Sequence, residues 1–136
     1  MDHPIEVESA IAAFWLADDV LKLTPLRFGK AAEGDSLPYA VMSTVLTTGR
    51  RGRAPERSTD SEYVRLRLAL KVYGVGEYES GTLSRNLLAR LRETSIAGIE
   101  QLRVIDDGHP IEDEERVWFW ISALEVQFIR SRVAVD

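Results

Sequence analysis

Residues 63–73 read Tyr-Val-Arg-Leu-Arg-Leu-Ala-Leu-Lys-Val-Tyr, and the fold turns on how this stretch is read. Val64, Leu66, Leu68, Leu70 and Val72 alternate with Tyr63, Arg65, Arg67, Ala69, Lys71 and Tyr73. Successive side chains of a strand point to opposite faces, so a period of two predicts a strand with one apolar and one polar face. Gly74 and Gly76 end it. The period then changes: Leu83, Leu87 and Leu91 recur every fourth residue with Leu88 beside them, which predicts a helix over 77–92. Gly81 in its first turn costs about 1 kcal/mol relative to alanine.

Working back from the central strand, Leu37-Pro38-Tyr39 opens another strand that runs to about Thr47 and is rich in Val, Thr and Tyr. Between the two, residues 48–61 are polar and carry Gly49, Gly52 and Pro55, so a mobile basic loop is expected. At the N-terminal end, Val7, Ile11, Phe14 and Trp15 define one apolar helix face, which Asp18-Asp19 closes. Val20 to Ser36 reads as irregular, with Pro25, Gly29 and Gly34 as breakers.

Working forward, Leu102 to Asp106 is a short strand and 106–115 an acidic loop. Val117 to about Arg130 is a long final strand whose first residues are apolar on both faces. Such a strand is either central or an edge covered by another chain. The fold class is therefore α+β: one mixed or antiparallel sheet of about four strands with two helices packed on it, in the order α-β-β-α-β-β, as a single domain over 1–136.

The chain has 136 residues, enough for one ordinary core. It has no cysteine, which excludes disulfides, thiolate metal sites and a cysteine nucleophile. The N-terminus is acidic and lacks the pattern of a signal peptide, and no apolar run is long enough to span a bilayer. A net charge of −5 gives no general attraction to nucleic acid or anionic membrane.

Motifs for chemistry are weak. Gly74-Val75-Gly76 follows a strand and precedes a helix but lacks a third glycine, so it reads as a turn needing positive φ. Gly29-Lys30 lacks the preceding glycine and following hydroxyl of a P-loop. His109 lies among Asp106, Asp107, Glu112 and Asp113, which admits a metal ligand or general base, but a solvated turn is the reading preferred. No catalytic, cofactor-binding or metal-binding residue is assigned, and no cofactor is expected.

Charge is unevenly placed. Residues 50–57 hold Arg50, Arg51, Arg53 and Arg57 against one glutamate, or +3. Residues 106–115 hold Asp106, Asp107, Glu112, Asp113, Glu114 and Glu115 with no Lys or Arg, or −6. The arginines suit an acidic protein or nucleic acid, or serve as charge that keeps an edge strand from aggregating. Opposite patches on one small domain also suit head-to-tail contacts, which close into rings. Trp118 and Trp120 are candidate interface anchors, or simply core.

The layout resembles the tail-completion or tail-terminator proteins of long-tailed phages and prophages, with the related minor head–tail joining proteins. The resemblance rests on the N-terminal helix ending Leu16-Ala17-Asp18-Asp19, on Leu37-Pro38-Tyr39-Ala40-Val41 opening the first strand, and on the variable Thr/Gly/Arg loop. It rests also on Lys71-Val72-Tyr73, the Leu83–Leu91 helix and the ending Phe128-Ile129-Arg130. It implies a non-enzymatic structural protein that forms a ring, typically a hexamer, ends the tail tube and joins it to the head connector. Implied partners are the protein itself, a tail-tube protein and a head-connector protein, without membrane or sequence-specific nucleic-acid binding. The implied setting is the host cytoplasm during assembly and the virion tail or neck thereafter. The competing expectation is a small adaptor module whose arginine-rich loop contacts an acidic protein or nucleic acid.

Overall fold

The computed structural model describes residues 4–29, 36–51, 61–113, 115 and 117–131. The elements in order are helix α1 (Pro4–Ala17), a 3-10 turn (Leu21–Leu23), strands β1 (Leu26–Phe28), β2 (Tyr39–Arg51) and β3 (Ser61–Tyr73), helix α2 (Glu77–Arg92), and strands β4 (Gln101–Glu112) and β5 (Trp118–Ser131). Among the described residues they form one five-stranded sheet in the order β1-β2-β3-β5-β4. Only β1 and β2 pair in parallel; the other neighbours are antiparallel. β5 lies between β3 and β4, so it is a central strand, with the helices on one of its faces.

Both helices lie on one face. Val64, Leu66, Leu68, Leu70 and Val72 of β3 are buried there with Leu124, Val126 and Phe128 of β5 and Ala40 and Met42 of β2. Val7, Ile11 and Trp15 of α1 and Leu87, Leu88 and Leu91 of α2 complete the same core. The Trp15 indole is buried with its N–H donated to the Thr24 carbonyl at 2.7 Å.

Asp18 ties the two helices together. Its Oδ2 accepts the Leu21 and Val20 amides at 2.9 and 3.1 Å, closing the turn after α1. Its Oδ1 accepts Arg90 Nε and Nη2 from α2 at 2.9 and 2.6 Å. The hydrogen bonds from Arg90 and then from Leu21 hold the carboxyl down to about 2 from its ordinary 3.8.

Trp120 makes the second tie. A Cβ added at Gly81 of α2 would stand 3.0 Å from the Trp120 ring, so the glycine that weakens α2 is the space that admits the indole. The Trp120 N–H donates to the Asp107 carbonyl at 2.8 Å. Gly76 (φ 107) opens α2, and Gly74 passes under Ser80, where a Cβ would be 3.0 Å from the Ser80 nitrogen.

The class is α+β, one sheet with two helices, in rough agreement with the expected strand number and order; the added strand, β1, lies in the stretch after α1 that reads as irregular. Two loop expectations are corrected. Residues 48–51 and 61 are paired strand: Thr48 lies opposite Arg65 and Arg51 opposite Glu62, so only 52–60 of the expected basic loop remain, outside the described residues. The acidic loop expected over 106–115 is strand through Glu112. Its turn-forming residues are accommodated by irregular pairing between Val104 and His109, where Gly108 takes φ 97 and the Asp106 carboxylate accepts its amide at 2.8 Å.

Candidate interaction surface

The second face of the sheet carries neither helix among the described residues. The paired strands place its side chains in cross-strand rows, because directly opposed residues share a face. Tyr39, Tyr73, Phe119 and Ile111 form the first row; Arg27, Val41, Lys71, Ile121 and His109 the second; and Ser43, Ala69, Ala123 and Asp106 the third. Arg67, Glu125 and Arg103 follow, then Arg65, Gln127 and Gln101. Adjacent rows are two residues apart, so the five span about 27 Å.

This face changes character along the strands. At one end Tyr39 and Tyr73 stack with centroids 4.8 Å apart, and Phe119 follows Tyr73 at 5.0 Å. The spacing is that of neighbouring strands, so the rings stand on edge and occupy one another's faces. The Lys71 ammonium lies 5.6 Å from the Phe119 centroid. Burial, then the neighbouring Tyr39 and Asp113, push the Tyr73 hydroxyl above its ordinary 10.0. The middle row has the small side chains of Ser43, Ala69 and Ala123, with Asp106 at its edge. The far end is basic, with Arg65 and Arg67 exposed and Arg103 paired to Glu125 at 2.7 Å.

The β4–β5 turn projects from the aromatic end. Asp113 Oδ1 accepts the Glu115 and Val117 amides, each at 2.9 Å, so this acid shapes the turn. Glu112 and Glu115 are exposed beside it. β3 has 13 residues and is about 40 Å long, which separates this acidic turn from the strand ends that bear Arg50 and Arg51.

The residues singled out from sequence are thereby dispersed. Arg50 and Arg51 lie on the backbone of β2, while Arg53, Arg57 and Glu114 are outside the described residues. Asp106 holds the Gly108 amide, and Asp107 forms an ion pair with Arg92 of α2. Trp120 is engaged beneath Gly81, and half-buried Trp118 offers its carbonyl to the Ser80 hydroxyl at 3.3 Å. His109 is exposed on β4, and no cluster of three potential metal ligands occurs among the described residues.

The interface residues expected from sequence do not include Tyr39 or Tyr73. Their signal was available: each falls on the non-core parity of its strand. An open groove of about 410 Å³, lined by Pro38, Tyr78, Glu79, Thr82, Leu83 and Asn86, lies along the start of α2. No helix among the described residues is long and apolar enough to cross a membrane. No protein-family model matches the chain, and no curated protein matches it either.

Proposed function

We propose that this chain is a non-enzymatic structural protein of a phage tail or head–tail junction, one that forms a ring, ends the tail tube and meets the head connector. The observation that carries the reading is the helix-free sheet face, aromatic at the end beside the acidic β4–β5 turn and arginine-bearing at the other. A surface with different ends suits head-to-tail contacts between copies, and such contacts close into rings when the rotation between copies allows. The resemblance in layout to tail-completion proteins supplies the setting.

The test combines native mass spectrometry with electron microscopy of the protein alone and with polymerising tail-tube protein from the same genome. The expected result is a closed ring of one copy number that arrests tube growth. A protein that leaves tube length unchanged and forms no ring defeats the reading. Salt-dependent retardation of DNA without self-association would instead favour the arginine-rich adaptor module.

A further inference from the structure

We propose that the outer edge of β2, from Ser43 to Arg51, pairs antiparallel with the same edge of a second copy of this chain, about a two-fold axis at Thr47. A two-fold contact joins two copies and closes on itself. It is therefore separate from the head-to-tail contact of a ring and does not depend on it.

β2 runs to Arg51 and pairs with β3 along its inner side, but β1 covers only Ala40, Val41 and Met42 of its outer side. No strand among the described residues meets the rest of that edge, about 30 Å of it. The register gives the direction of its backbone groups. The Ala40 amide donates to the Pro25 carbonyl and the Met42 carbonyl accepts the Gly29 amide, so even residues face outward before the bulge between Thr44 and Leu46. The bulge adds one residue and shifts that parity. Beyond it Thr47, Gly49 and Arg51 turn their N–H and C=O groups outward. Such a row is matched by one kind of ligand, another extended chain. The other free edge of the sheet is blunted: β4 carries Asp106, Asp107 and Pro110, with irregular register between Val104 and His109. β2 has no proline and no acid, and no charge before Arg50. Its free edge fits its own copy. About an axis at Thr47 the whole stretch is used, with Ser43 opposite Arg51, and pairing stops where each β1 begins. The bulged Val45 falls opposite Gly49, which has no side chain to obstruct it. The two Arg50 residues are then about 20 Å apart. Parallel pairing in register would set them side by side, where like charges repel.

The experiment uses variants of the full chain. Because the chain has no cysteine, a single introduced one reports contact between copies. Thr47→Cys places two thiols across the axis, where opposed Cα atoms stand about 5.5 Å apart, within reach of a disulfide. Thr44→Cys places them about 20 Å apart, out of reach. Oxidised with diamide, the first variant should become a disulfide dimer and the second should stay uncrosslinked. Thr47→Pro removes an outward N–H and leaves the ladder to β3 whole. By sedimentation velocity the wild type should show a monomer–dimer equilibrium, and Thr47→Pro should weaken it at least about tenfold while keeping its circular dichroism.

A wild type that stays monomeric at its highest soluble concentration overturns the proposal and leaves the edge to a different chain. So does a Thr47→Cys variant that crosslinks no better than Thr44→Cys, or a folded Thr47→Pro variant that associates as the wild type does. If Thr47→Pro loses its native circular dichroism, the two cysteine variants decide alone. Rings that form without a Thr47→Cys crosslink overturn this contact and leave the ring reading standing. A crosslinked dimer that forms no ring supports this contact and removes the ring.

Discussion

Arg67 and Leu68 are neighbours on β3 and belong to different surfaces. Leu68 is fully buried beneath the helices, in a row of aliphatic side chains that runs the length of the strand. Arg67 is exposed on a face whose rows are aromatic, then mixed apolar and basic, then small, then charged. The helix side is uniform because it must fill one space at close packing. The open side is graded, and grading has no value for filling a core. The difference separates residues that hold the fold from residues available to a partner, and it does so along a single strand.

The comparison can be broken by substitutions on each side. Leu68→Ala should cost about 3–4 kcal/mol of unfolding free energy, read from denaturant midpoints, because it leaves a cavity in the buried row. A cost below about 1 kcal/mol would mean that the helix side is loosely packed. Gly108→Ala should cost about 3 kcal/mol: the added Cβ would meet the Ile121 carbonyl oxygen at 2.2 Å, at a residue whose φ is 97. Gly81→Ala should cost about 1–2 kcal/mol despite better helix propensity, because the Trp120 ring must move. A stabilised Gly81→Ala variant would show that the indole is not seated against α2.

Asp18→Asn should lower the melting temperature at neutral pH by weakening the Arg90 tie. The Asp18 carboxyl is held at about 2 in the folded protein, below its ordinary 3.8, so the unfolded chain takes up that proton first on acidification. Its stabilisation is complete above pH 3.8 and is lost as pH falls through 2. Wild-type and variant melting temperatures should therefore converge across that window. Arg67→Ala, the smallest effect, should change stability by less than about 0.5 kcal/mol, so any loss of self-association would belong to the surface itself.

Much of the helix side was legible in the chain. Five alternating residues defined β3, and the spacing of Leu83, Leu87 and Leu91 placed α2 over 77–92. β1 escaped because three residues, Leu26 to Phe28, are too few to show a period, and their strand character comes from pairing with β2. β4 was read short because Asp106, Asp107, Gly108 and Pro110 are turn formers. Pairing with β5 overrides that preference, and irregular register absorbs the misfit. The open face was harder for a different reason. Each aromatic could be assigned to its strand, but a row exists only once the neighbours are known, and β5 lies beside β3 although α2 and β4 come between them in the chain. The tryptophans drew attention through their size. Trp120 turned out to be occupied within the fold.

The position of β5 has a consequence for how the molecule comes into being. β3 and β4 are synthesised before it and never touch as neighbours in the sheet, since β5 enters between them. Until that strand arrives, β4 lacks its sheet partner and one edge of β3 stands open, with the aliphatic row beneath α2 incompletely covered. Closure spans a long stretch of chain, the kind of pairing that slows folding. A nascent chain on the ribosome thus holds its sheet unfinished until β5 has emerged, and a chain cut short before β5 would present two sticky edges to its neighbours.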